Sequence, residues 1–335
     1  MKPSGEYPAS PEVLEALRRR AKGRPVLGFE DFMDVALYDP VLGYYRRKGP
    51  RIGYGPGTDF LTATASAPLF GRLVVAACVR LLGTASPDGY DFVEIGAERG
   101  AGVLREGPHP FRSSRHVGVG ESLVIDRPSV VFSNELFDAQ PFRRFRFRAG
   151  RWREVGVSIR AEGLTEAETD PVVPSGVELP DCPPEGYEID ATVKATDLAR
   201  AIAGQPWHGL FVAFDYGKPW EELCYGTPGG TARAYRNHTQ SNDLLAFPGD
   251  QDLTCHVCWD WLREALLGAG FEDPKLESQE AFFTRHAAHL IEKLAASEAG
   301  KLSREKLSLL QLLHPVHMGQ KFQVLWALRP QSIRP

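Results

Sequence analysis

At 335 residues the chain has room for one large domain or two, and 43% hydrophobic with 24% charged residues is an ordinary composition for a soluble globular protein. A net charge of −4 and a pI near 6.2 argue against nucleic-acid binding through overall charge. No apolar run reaches the ~18–20 residues that span a bilayer, and residues 1–10 carry no apolar signal core, so neither a membrane nor secretion is expected.

Residues 11–23 set Val13, Leu14 and Leu17 among charges, the pattern of a short amphipathic helix. Residues 29–38 read as a second helix that stops before Asp39-Pro40, because proline cannot continue a helix and biases its predecessor towards extended geometry. Gly43-Tyr44-Tyr45 then leads into a glycine-rich stretch up to Phe60, which suits a lid or a plain surface loop. Residues 66–83, with Phe70, Leu73, Val74, Val79 and Leu82, read as a buried helix.

Short apolar runs at 91–95, 129–133 and 210–215 follow, as expected of strands covered on both faces of a parallel sheet. Helical patterns near 191–204, 257–269 and 279–307 separate or follow them. This alternation predicts an α/β fold with right-handed crossovers. Strand 91–95 carries Glu94 near its end and runs into Gly96-Ala97-Glu98-Arg99-Gly100. Such a glycine turn, followed by a helix with unpaired N–H groups, is how an open α/β sheet meets a nucleotide-like cofactor.

Residues 142–160 read as a hairpin turning at Ala149-Gly150, with an apolar face and a solvated basic face made by Arg143, Arg144, Arg146, Arg148, Arg151 and Arg153. That reading is preferred to a nucleic-acid surface, and the basic face could guide an acidic protein partner. Residues 161–190, rich in Pro, Glu and Gly, read as an irregular insertion, and 322–328 as a last strand. The cysteines Cys78, Cys182, Cys224, Cys255 and Cys258 are few, odd in number and scattered, which fits a reduced cytoplasm. Cys255-x-x-Cys258 has no second pair at metal-site spacing, so packing is expected there and no metal.

Several phrases, in one order and running nearly end to end, resemble those of the MidA-like proteins, relatives of the mitochondrial complex I assembly factor that methylates arginine. They are LYDPVLGYY at 37–45, GTDFLTA at 57–63, VEIG at 93–96, SNELFDAQP at 133–141 and FDYG at 214–217. GTARAYRNH, interrupted by Pro228-Gly229-Gly230, PGDQDLTCHV at 248–257 and LLHPVHMGQKFQVL at 312–325 complete the set. The resemblance implies a class I methyltransferase with S-adenosylmethionine as cofactor and a Rossmann-like, mostly parallel sheet flanked by helices. Residues 1–88 would form a helical cover with a lid loop, and residues 89–335 the methyltransferase domain with an insertion at 142–190.

It also implies a site. Glu94, Gly96, Glu98, Gly100, Glu121 and Asn134 would meet the cofactor, and Asp59, Glu135, Asp138 and Asp215 would act on the substrate. Glu98 stands where the family's turn, similar to GPGRG, has its middle glycine. Turned inward, it would meet the methionine carboxylate, and like charges ~4 Å apart repel by roughly 1–4 kcal/mol. Arg99 can offset this by pairing with either carboxylate. The run His116-Val117-Gly118-Val119-Gly120-Glu121 would be a shortened second strand, with Glu121 as the ribose partner.

Methyl transfer depends mainly on alignment and exclusion of water. A guanidinium substrate also needs carboxylates that localise its charge and take a proton. The expected function is therefore methylation of a protein side chain, arginine by resemblance, in the cytoplasm. The alternative is a decayed methyltransferase fold serving as a binding or assembly factor. A nicotinamide dehydrogenase is disfavoured because no G-x-G-x-x-G follows strand 91–95. The partner is a protein substrate or an assembly partner, and a homo-oligomer is an open alternative to a monomer.

Overall fold

The computed structural model describes residues 7–47, 68–97, 102–104, 108–161, 163–298, 300 and 303–331. The chain forms two compact units, one of residues 61–136, 198–217 and 261–335, the other of residues 1–60, 137–197 and 218–260. Asp59, Glu98 and Gly100, with the glycine-rich stretch around Asp59, lie outside the described residues.

The first unit is built on the apolar runs read as strands. Its six-stranded sheet has the order Glu272–Ser278, Gln323–Arg329, Gly209–Asp215, Ser129–Asn134, Asp91–Ile95, Ser113–Val117. The last four are parallel neighbours, whereas Gln323–Arg329 runs antiparallel to both Gly209–Asp215 and Glu272–Ser278. A second strand exists at the edge of the sheet as Ser113–Val117, so it ends where the expected run 116–121 only begins, and Gly118 to Glu121 lie beyond it. Helix Leu69–Leu81 buries Phe70, Leu73, Val74 and Ala77 in a core shared with Phe92, Phe132 and Phe214. Phe70 meets Phe214 edge-on at 5.4 Å, a favoured aromatic geometry.

One helical expectation changes here. The single helix read at 279–307 is three helices: Gln279–His286, Ala288–Ser297 and Arg304–Leu313. The first break falls at Ala287, whose φ of −119° is not helical. Ser278 caps the first of the three and Ser303 the last, accepting from Ala281 N–H at 3.2 Å and Lys306 N–H at 3.1 Å. Between the 91–95 and 113–117 strands the described residues show no helix after the Gly96 turn, and Val103 and Leu104 form a turn.

The second unit holds an antiparallel sheet in the order Tyr7–Pro8, Gly163–Thr169, Arg151–Ile159, Arg143–Arg148, Glu188–Ala191, with Leu27–Gly28 also paired to Arg151–Ile159. The hairpin is as expected, with φ of 51° at Ala149 and 73° at Gly150, the double positive φ of a tight two-residue turn. Helices Pro11–Ala21 and Phe29–Tyr38 give Leu14, Leu17, Phe29, Phe32 and Leu37 to a core with Phe142, Val157 and Leu164. Asp39 is extended before Pro40, with φ −50° and ψ 132°.

Residues 161–190 are not irregular throughout, because they contain Gly163–Thr169 and Glu188–Ala191. The same strands overturn the solvated basic face. Arg144 and Arg146 are buried, and the acidic side chains of the two new strands neutralise them. Arg144 donates to Glu166 at 2.8 Å, Glu188 at 3.1 Å and Asp190 at 3.3 Å. Arg146 donates to Glu166 at 2.6 Å, Glu188 at 2.8 Å and Glu168 at 3.2 Å. Asp190 Oδ2 also accepts from Thr231 and Ala232 N–H at 2.6 and 2.8 Å. The remaining lone pairs are thereby used, as a buried ion network requires.

Removing one partner strands the others without water. Arg144→Ala should cost about 3–5 kcal/mol of unfolding free energy in urea titrations. Burial alone would raise the Glu166 carboxyl, but Arg144 and Arg146 outweigh it and hold it at about 2. A folded value below the unfolded one stabilises above the unfolded pKa of 4.5. That contribution should disappear as pH falls from about 4.5 towards 2, and melting temperatures of wild type and Glu166→Gln should converge over that window.

Candidate functional site

Parallel register aligns the carboxyl ends of three strands. Ile95 lies opposite Ser133, and Ser133 opposite Ala213. The next positions are Gly96, Asn134 and Phe214, followed by Glu135 and Asp215. Gly96, Asn134, Glu135 and Asp215 are thus at one edge of one sheet, the place where open α/β sheets bind ligands. The 113–117 strand brings Glu121 to the same edge, four residues past its end.

Gly96 has φ of 84° and donates its N–H to Val117 O at 2.9 Å. A Cβ there would lie 2.8 Å from Leu136 Cδ1, the far end of a flexible side chain, so it is the left-handed conformation that calls for glycine. Glu135 also has positive φ, 50°, although it is not glycine. Its N–H donates to Phe214 O at 2.9 Å, and its carboxylate accepts from Asn134 Nδ2 at 3.0 Å. A left-handed residue of this kind stores roughly 1–3 kcal/mol, and such strain clusters at functional sites. Asp215 is fully buried, with Oδ1 accepting from Tyr216 N–H at 2.9 Å.

Two polar atoms at this edge are buried with no hydrogen-bond partner among the described residues: Ser133 Oγ and Asn134 Oδ1. Folded proteins rarely leave such atoms unmade, and each is a place for a ligand group. With Glu121 they offer a donor–acceptor hydroxyl, an amide acceptor and a carboxylate. That set fits a ligand bearing amino and ribose hydroxyl groups. Glu121 is exposed, with its carboxylate accepting from Gly118 N–H at 2.8 Å. Glu94 is engaged within the protein. Its Oε2 accepts from Val103 N–H at 2.7 Å and meets His116 Nδ1 at 3.2 Å.

Asp138 belongs to the other unit. It is buried there, and its carbonyl accepts from Cys255 N–H at 3.0 Å. Around it the 37–45, 133–141 and 248–257 phrases converge. Tyr38 OH donates to Ala139 O at 2.9 Å, Gln140 Nε2 to Tyr38 OH at 3.4 Å, and Tyr45 OH to Asp252 Oδ1 at 2.8 Å. Burial, then the nearby Asp252 and Asp138 carboxylates, push the Tyr38 hydroxyl well above its ordinary pKa. Tyr38, Tyr45, Gln140 and Asp252 were not singled out from sequence. Their phrases were, but nothing in them marks which side chain turns inward.

The comparisons with known proteins bear on this arrangement. A family model for S-adenosyl-L-methionine-dependent methyltransferases matches residues 119–274, starting beyond the Gly96 turn. The zebrafish (Danio rerio) mitochondrial protein arginine methyltransferase NDUFAF7 is 25% identical, covering 93% of this chain and 85% of that protein. Its human counterpart is 22% identical over 98% of this chain and 86% of its own length. The fold matches that of a Burkholderia thailandensis COG1565 superfamily member crystallised with S-adenosyl-homocysteine. The TM-score is 0.79 at 24% identity, covering 97% of this chain and 95% of that one. With its phrases in order along nearly the whole length and its sheet of that form, the chain is similar to the MidA-like S-adenosylmethionine-dependent methyltransferases in sequence and in fold.

Proposed function

We propose that this protein methylates an arginine of another protein. The relatives named as arginine methyltransferases match almost end to end, which supports the substrate class. The observation that carries the reading is the row of Asn134, Glu135 and Asp215 at the carboxyl edge of the parallel sheet, with orphaned polar atoms beside it.

S-adenosylmethionine, when bound, supplies an electrophilic methyl on a good leaving group. The residues of this chain do the rest. Asn134 Oδ1 and Ser133 Oγ would hold the cofactor's polar groups, and Glu121 a ribose hydroxyl. Gly96 lets the backbone turn beside it. Glu135 and Asp215 would grip the guanidinium, turn one nitrogen towards the methyl and take the proton released as the new N–C bond forms. Asp138 is read as a support of the Tyr38–Asp252 cluster in its own unit.

A second reading, a fold that binds partners without methyl transfer, is favoured by one observation. Glu94, the acid at the end of the first strand, is spent on Val103 and His116. Calorimetry with S-adenosylhomocysteine separates the two. Binding, with transfer of labelled methyl to protein arginine, supports the enzyme; no binding at millimolar ligand supports the second reading.

Two variants sharpen the assignment. Asn134→Ala should weaken S-adenosylhomocysteine binding about tenfold, as expected for one lost hydrogen bond in calorimetry. Glu135→Gly relieves the positive φ, so its melting temperature should hold or rise, by up to about 1 kcal/mol in stability. Labelled methyl transfer should nevertheless fall sharply in that variant. Full transfer by Glu135→Gly would remove Glu135 from the mechanism.

A further inference from the structure

Residues 102–104 follow the glycine turn in the chain, and three elements hold them. Glu94, on the Asp91–Ile95 strand, accepts from Val103 N–H at 2.7 Å. His116, on the neighbouring Ser113–Val117 strand, meets the same carboxylate oxygen at 3.2 Å. The His116 ring fills the space a Cβ on Gly102 would need. Gly71, on helix Leu69–Leu81, faces Val103 O so closely that no Cβ fits between them. The side chains of Val103 and Leu104 complete the hold by joining the core of that helix.

We infer that Glu94 and His116 are positioning residues, a clamp that pins residues 102–104 to the sheet and thereby fixes the exit of the Gly96 turn for cofactor binding. The inference takes its ligand from the methyltransferase reading, while the clamp stands on geometry alone. Glu94 is only 3% exposed, and a carboxylate so buried is held by partners rather than by water. Both of its contacts are made by one oxygen, Oε2, to the protein's own backbone and ring, so that oxygen orders the loop. A charge-assisted bond is short and directional, which suits this task.

The clamp has a titratable half. Its hydrogen bond to Glu94 raises His116 above the ordinary histidine value, with a smaller contribution from Glu121. Glu94 faces it from the neighbouring strand and Glu121 from the turn after its own; residues 102–104, packed against it, carry no charge. Because the folded value is raised, the ionic contribution is complete below about 6.5 and is lost as pH rises through the raised value. The ring is 40% exposed, so solvent screens part of that effect.

The test uses the full chain, His116→Ala and His116→Gln, with two readouts. Amide hydrogen exchange of the segment carrying Val103 reports the clamp. Calorimetric titration with S-adenosylhomocysteine at pH 6 and pH 9 reports its use. His116→Ala should speed exchange at 102–104 about tenfold at pH 6 and weaken binding by a similar factor. His116→Gln, which keeps a donor without a charge, should recover much of both and lose the wild-type pH dependence. If His116→Ala does not fold, Gly102→Ala, which drives a methyl into the ring, should show the same pair of changes.

Unchanged exchange at 102–104 overturns the clamp. Faster exchange with unchanged affinity overturns its role in positioning. Wild-type protein that ignores millimolar S-adenosylhomocysteine overturns the methyltransferase reading instead, and the exchange data still decide whether the clamp exists.

Discussion

Everything proposed for this protein depends on the in-register end of three parallel strands. Backbone hydrogen bonds set Ile95, Ser133 and Ala213 side by side, and the positions after them have no freedom to choose their neighbours. A slip of one residue would reverse which side chains enter the Phe70 core and which reach the edge. The aromatic packing of Phe92, Phe132 and Phe214 therefore protects the site as well as the fold. Chemistry at the edge is inherited from hydrophobic pattern several residues earlier in each strand.

The other unit solves a different problem. It buries two guanidinium groups in the middle of an antiparallel sheet and surrounds them with four carboxylates from two strands. Such a network is weak evidence for stability in itself, since desolvation offsets much of the attraction. Its stronger effect is on arrangement. A strand shifted by one residue would place Glu166 and Glu188 on the wrong face and leave both arginines unpaired, an error far more costly than a lost apolar contact. Arg144 adds to this by lying over the Phe29 ring at 5.0 Å, which ties the sheet to helix Phe29–Tyr38.

The strands and most helices were legible because apolar runs and prolines state them directly. Asp91–Ile95, Ser129–Asn134 and Gly209–Asp215 fall within a residue of expectation. The edge strand was readable only through resemblance, since SSRHV is polar and says little by itself. The break at Ala287 was not legible, because neither glycine nor proline marks it. Gly163–Thr169 was missed for a physical reason: its alternating glutamates look like a solvated loop until their buried arginine partners are known. At the site, Gly96, Asn134 and Asp215 could be named from motif and strand end, whereas the left-handed backbone of Glu135 has no sequence signature. The occupation of Glu94 by Val103 and His116 depends on a loop conformation that no motif encodes.

The Ser113–Val117 strand has one further consequence. Among the described residues it pairs on one side only, so its outer border offers bare N–H and C=O groups to any extended chain. Its first four residues are two serines, an arginine and a histidine, and just Val117 is buried. A stranger that tried to zip onto this border would have to dehydrate hydroxyls and cations with nothing apolar in return. A polar border of this kind gives an incoming strand little apolar contact to gain where the sheet ends.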